Sequence, residues 1–140
     1  VEMYTFCAPE QAEAEHVKML ADAEETLKAL GLTYRVKLLA TGDTGFCARM
    51  TYDLEVWAPG CQEWLEVSSV SNVGDFQARR AGIKFRRERG AKAELAATLN
   101  GSGLALPRTM IAVLENYQRA DGSVEVPEPL RKFVGVDVIG

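Results

Sequence analysis

Two long apolar–polar alternations joined by a single turn constrain this chain more than any other feature. Residues 50–59, MTYDLEVWAP, set Tyr52, Leu54, Val56 and Ala58 against Asp53, Glu55 and Trp57. A side-chain period of two marks a half-buried strand. Pro59 and Gly60 then supply a turn, and QEWLEVSSVSN begins the return strand. Two such runs around a turn predict an antiparallel hairpin. Under strict alternation, Glu66, Ser68, Val70 and Asn72 share one face of the return strand. Val67, Ser69 and Ser71 then share the other.

A sheet with one apolar face must be covered, and the flanking sequence supplies candidates. Residues 9–30 have helical spacing, with Val17, Leu20, Ala21, Leu27 and Leu30 able to share a face. Pro9 suits the first turn of that helix, and Gly31 the position after its last. The preceding VEMYTFC alternates as a strand, TYRVKLLA (33–40) reads as the next strand, and TGDTGFCA (41–48) as a glycine-bearing loop. Residues 72–90 read as irregular or helical, then strand-like and basic. AELAATLNGSG is a strand, LALPRTMIAVLENYQ a helix, and ADGSVEVPEPLRKFVG an ordered but irregular tail. This order predicts an α+β domain, an antiparallel β-sheet flanked by helices.

With 140 residues, 47% hydrophobic and 26% charged, the chain has the size and balance of one globular domain. A net charge of -4 argues against a surface given over to nucleic acid. No apolar run approaches the ~20 residues of a membrane span, and no basic-then-apolar leader is visible. Cys7, Cys47 and Cys61 fit neither a disulfide framework nor a zinc pattern, so they read as reduced thiols in a cytoplasmic protein. His16 is the only histidine and reads as solvated, and a histidine dyad or multi-histidine metal site is excluded by counting. The chain begins at Val1 inside a strand pattern without an initiator methionine, which suggests a piece of something longer.

Two stretches invite chemistry. WLEVSSVSN places Glu66 among Ser68, Ser69, Ser71 and Asn72 on a strand. That is either an exposed sheet face or a floor whose oxygens hold a divalent cation. TLNGSGLALPRTMIAVLENYQ (98–118) puts Asn100, Gly101, Ser102 and Gly103 before an apolar helix with Arg108 near its start. Turn and cap residues explain the first four, but a turn needs no arginine. A guanidinium beside a helix N-terminus suits an anionic ligand. The basic run around Arg79, Arg80 and Arg86–Arg89 reads as a solvated loop or a phosphate contact. TGDTG lacks the lysine and the spacing of a phosphate-binding loop and reads as a turn.

TLNGSGLALPRTMIAVLENYQ resembles the third signature motif of class II aminoacyl-tRNA synthetases, in the form used by seryl-tRNA synthetases. VEMYTF, LGLTYRV, ATGDTGF, TYDLEVWAP, EVSSVSN, DFQARR, DGSVEVPEPLR and the late FVG resemble that family in the same order, covering nearly the whole chain. The resemblance implies part of the class II catalytic fold, with ATP and Mg²⁺ as cofactors. It gives Glu2, Asn100 and Ser102 to the substrate serine, and Glu66 and Ser69 to ATP and its metal. Val67 and Ser68 would lie along the nucleotide, and Arg108 would be the catalytic arginine on ATP phosphate. The reaction implied is activation of L-serine to seryl-adenylate, then transfer to the 3′ end of tRNA(Ser), by a protein that is a homodimer when intact.

The family's helical tRNA-binding arm and its first two motifs have no counterpart in residues 1–140, so these are expected upstream. FRRER (85–89) imitates the second motif but follows DFQARR, where the family carries an ordinary segment. Val70 departs from the family's SSCSN. The chain is thus expected to hold half an active site, as the C-terminal portion of a catalytic domain, and to be inactive alone. Two other readings stand beside it: a non-catalytic synthetase-like paralogue binding serine, an adenylate or a partner protein, and a ligase that aminoacylates a carrier protein.

Overall fold

The computed structural model describes residues 2–140. β1 (Glu2–Cys7) leads through a 3₁₀ turn (Pro9–Gln11) into α1 (Ala12–Ala29), followed by β2 (Tyr34–Leu38), β3 (Met50–Ala58) and β4 (Glu63–Gly74). α2 (Phe76–Ala81), β5 (Lys84–Phe85) and β6 (Glu94–Leu95) precede β7 (Ala97–Ser102) and α3 (Leu106–Tyr117). β8 (Val124–Glu125), α4 (Glu128–Val134) and β9 (Val138–Ile139) complete the chain. The main sheet has the order β1-β7-β4-β3-β2 with every neighbouring pair antiparallel. This is the α+β architecture that the alternating runs predict.

Three details differ from the sequence reading. AELAATLNGSG is not one strand, because β6 pairs with β5 outside the main sheet and only β7 enters it. The tail is regular rather than irregular. Pro129, whose ring presets a helical φ, sits in the first turn of α4, and Gly135 at φ 82 closes the helix. The third difference concerns α1, whose inward stripe is Ala12, His16, Met19, Ala23 and Leu27. Val17 is 58% exposed and Ala21 is also at the surface.

His16 is therefore buried rather than solvated, at 2% exposure. Its Nε2–H donates to the Val70 carbonyl at 2.9 Å, and its ring lies tilted against Tyr52. A polar side chain is tolerated in an apolar stripe when it finds such a partner. Leu27, Leu30, Leu32, Leu54, Val56, Val67, Leu104 and Ala112 join α1, α3 and the sheet into one core. Gly31 turns the chain out of α1 at φ 64, and an added Cβ would stand 2.7 Å from the Tyr117 hydroxyl. That hydroxyl donates to the Leu30 carbonyl at 2.6 Å, tying α3 to the end of α1.

The β3–β4 ladder carries a β-bulge. Leu54 faces Ser68, yet Glu55 faces Glu66, leaving Val67 as the extra residue. Val67 and Ser68 are consequently both buried on the helix side, Val67 in the core and Ser68 donating to the Ser102 carbonyl at 2.6 Å. Glu66 is shifted onto the opposite face, with Ser69 and Ser71.

FRRER belongs to a surface ion-pair cluster. Arg87 meets Glu10 at 2.5 Å and Glu94 at 3.0 Å, tying the β5–β6 hairpin to the start of α1. The hydrogen bond from Arg87 holds the Glu10 carboxyl at about 2, below the usual carboxylate range. A depressed carboxylate pKa contributes stability above its ordinary value and loses it as pH falls toward 2. An NMR titration of Glu10 is expected to show that low midpoint, and Arg87→Gln to return it to the ordinary range. An ordinary midpoint in the unaltered chain would mean that the pair does not form in solution.

Candidate functional site

The face of the sheet opposite α1 and α3 carries the polar residues. In the β1–β7 register, Glu2 lies opposite Ser102 and Tyr4 opposite Asn100. These four, with Ser69 and Gly101, line a cavity of about 90 Å³. A Cβ added at Gly101 would meet Val70 at 3.1 Å and Met19 of α1 at 3.3 Å. The Tyr4 hydroxyl donates to Glu2 Oε2 at 2.6 Å, which orients the carboxylate. The same hydrogen bond raises the Tyr4 pKa, because the neighbouring carboxylate favours the phenol over the phenolate.

Ser69 and Asn100 also line a larger groove of about 470 Å³, so the two spaces share a wall. Lys37 of β2, Thr51 and Asp53 of β3, and Glu66, Ser69 and Ser71 of β4 form its floor. Asp43, Gly45 and Cys47 of the 39–48 loop form a side. Thr51 Oγ1 and Ser71 Oγ are joined by a 2.8 Å hydrogen bond. The charged lining residues are one ammonium, Lys37, and three carboxylates, Asp43, Asp53 and Glu66.

The donors on this floor are oxygens, which suit a hard cation such as Mg²⁺. Among the described residues, no three His, Cys, Asp or Glu side chains converge as a closed metal cage. That fits Mg²⁺, which takes one or two carboxylates and completes its shell with water or phosphate oxygens. An acidic floor repels a polyphosphate unless a cation lies between them, so the residues present fit such an ion.

The structure brings Glu2, Asn100 and Ser102 together, and it brings Glu66 and Ser69 together in the adjoining groove. Strict alternation would have separated Glu66 from Ser69; the bulge unites them. The side chains of Val67 and Ser68 are excluded, since both are buried beneath the helices. Arg108 is exposed in the first turn of α3 and lines neither space. Its helix packs on the covered face through Thr109 and Ala112. Arg79 and Arg80 are also exposed, beside the edge-to-face pair Phe46 and Phe76. Sequence reasoning missed Tyr4, Lys37, Thr51, Asp53 and the groove wall at 41–48. Asp53 was legible only as a polar position in an alternating strand.

Residues 1–117 match the family model described as tRNA synthetase class II core domain (G, H, P, S and T). The chain belongs to that family. Within it, the chain is 62% identical to a serine–tRNA ligase of Roseiflexus sp. (strain RS-1), over 99% of this chain and 33% of that relative. The fold of this class II core matches a crystal structure of seryl-tRNA synthetase from Pyrococcus horikoshii complexed with ATP. The TM-score is 0.96 at 40% identity, covering 99% of this chain and 31% of that one. A cytoplasmic serine-tRNA ligase from Naegleria fowleri in complex with AMP matches with a TM-score of 0.90 at 32% identity, covering 99% and 33%. The class II core described here thus spans about a third of the length of these relatives.

Proposed function

We propose that this chain forms the serine- and nucleotide-binding part of a serine–tRNA ligase. The observation that carries the reading is the pair of adjoining spaces. A small cavity with Glu2, Asn100 and Ser102 shares Ser69 and Asn100 with a groove that holds Glu66. The likeness to seryl-tRNA synthetases, one of them complexed with ATP, supports it.

In this reading Glu2, oriented by Tyr4, accepts hydrogen bonds from the ammonium or hydroxyl of serine. Alanine has no hydroxyl to donate and would make one hydrogen bond fewer to this carboxylate, which is exposed in this chain rather than buried as the sequence reading supposes. Glu66 and Ser69 hold the Mg²⁺, which when bound neutralises phosphate charge. The family resemblance assigns Arg108 to ATP phosphate. It stands exposed in the first turn of α3 outside both spaces, so its side chain would have to swing toward the groove to make that contact. The serine carboxylate attacks the α-phosphorus, pyrophosphate leaves, and the acyl group of seryl-adenylate passes to the 3′-terminal adenosine of tRNA(Ser). No protein nucleophile is needed, and the residues here act by positioning and charge. The remaining contacts to the α-phosphate and to tRNA come from sequence outside these 140 residues. The homodimer and the cytoplasmic location are proposed from the family resemblance. Among the described residues, no helix is long and apolar enough to cross a membrane.

The test is serine-dependent ATP–pyrophosphate exchange by this chain and by a version extended upstream to the length of its relatives. Exchange is expected from the extended protein alone, with loss on Arg108→Ala. Exchange by the short chain would overturn the half-site account. Failure of both with serine would leave a non-catalytic binding module.

A further inference from the structure

One polar atom on the groove floor has no hydrogen-bond partner among the described residues. Asp53 is 6% exposed, and its Oδ1 is buried without a hydrogen-bond partner among the described residues. Leaving a carboxylate oxygen unpaired at that depth is costly, and native interiors avoid it unless a ligand or ion completes the site.

The register shows why the neighbouring strands supply no partner among the described residues. Asp53 stands between Lys37 on β2 and Ser69 on β4. Lys37 turns instead to Glu55, at 3.9 Å, and Arg35 takes the other oxygen of Glu55 at 2.5 Å. Thr51 and Ser71 satisfy each other. The cations on β2 are thus committed two residues further along β3, at Glu55, and the carboxylate is left facing Ser69. Directly opposed side chains in an antiparallel pair have Cβ atoms roughly 5 Å apart, a gap that a cation with oxygen ligands at about 2.1 Å can bridge.

We infer that Asp53 is a carboxylate ligand of a divalent cation on this floor, completing with Glu66 and Ser69 an all-oxygen set. Two carboxylates and a hydroxyl leave the other coordination positions to water and phosphate oxygens, the pattern Mg²⁺ and Mn²⁺ accept. The same ion offsets the acidic floor and supplies Asp53 Oδ1 with its partner. The inference rests on the nucleotide–cation reading of the groove and adds to it a ligand from a different strand.

Mn²⁺ is the probe. Free Mn²⁺ is followed by electron paramagnetic resonance while the chain is titrated, alone and with ATP, and thermal unfolding is recorded with Mn²⁺ and with EDTA. Asp53→Asn is expected to weaken Mn²⁺ binding about tenfold or more. It should also remove most of the Mn²⁺-induced rise in melting midpoint. Asp43→Asn removes the same charge from the groove wall and is expected to weaken binding far less, which separates ligation from general electrostatics. In EDTA, Asp53→Asn is expected to melt at or above the unaltered chain, because it relieves an unpaired buried charge.

Mn²⁺ binding lost in Glu66→Gln but kept in Asp53→Asn would overturn the inference and leave the nucleotide reading standing. A large fall of the metal-free melting midpoint in Asp53→Asn would assign the carboxylate a structural partner and overturn it equally. Absence of Mn²⁺ binding by the unaltered chain, with and without ATP, would remove both.

Discussion

Leu27→Ala is expected to destabilise the chain by about 2–5 kcal/mol, the range for emptying a leucine-sized site in a packed core. Leu27 is 0% exposed and stands where α1, α3 and the sheet meet, against Leu54, Val56, Val67 and Ala112. A domain of this kind holds only about 5–15 kcal/mol in all, so the loss takes a large share of it. Calorimetry should show the melting midpoint falling by roughly 10 °C or more. Val17→Ala is the control. Val17 shares a helical face with Leu27 by sequence spacing, yet its side chain is 58% exposed, and its truncation should change stability by about 0.5 kcal/mol or less. Equal losses at the two positions would mean that the inward stripe of α1 runs through Val17 after all.

Glu66→Gln, made in the upstream-extended protein, is expected to reduce serine-dependent ATP–pyrophosphate exchange by about 10²–10³-fold, the scale for removing one preorganised electrostatic contact at a reacting phosphate. Ser69→Ala should lower exchange in the same assay while leaving the fold intact, because the Ser69 side chain lines both spaces. Ser68→Ala should act on folding instead. Its hydroxyl is buried and donates to the Ser102 carbonyl, and losing that bond costs about 1 kcal/mol or somewhat more. The three variants test the bulge directly. An uninterrupted strand would pair Glu66 with Ser68, so loss of exchange in Ser68→Ala with no effect of Ser69→Ala would refute the register that places Glu66 in the groove.

Much of this was legible from residues alone. Alternation in residues 50–59 and after 62 identified the central hairpin, because a period of two is imposed by the backbone whatever the sheet around it. The glycine- and asparagine-rich junction before Arg108 marked a strand–helix boundary with ligand chemistry. The ordered motifs implied the class II synthetase family, which the family match over residues 1–117 shows. Glu2, Asn100 and Ser102 were assigned a common task, and the β1–β7 register brings them to one cavity.

What the sequence by itself determined was the kind of each element and the family to which their order belongs, since both follow from local periodicity and local motif. The tertiary structure alone decided which way side chains face. The extra residue at Val67 moves Glu66 from the face of Ser68 to that of Ser69, and this depends on how β4 is paired, not on its composition. The buried place of His16 depends on the Val70 carbonyl 54 residues away. The unpaired oxygen of Asp53 depends on Lys37 and Arg35 both turning to Glu55. Each is a consequence of contacts between strands and helices distant in the chain, and alternation within one strand carries no information about its neighbours.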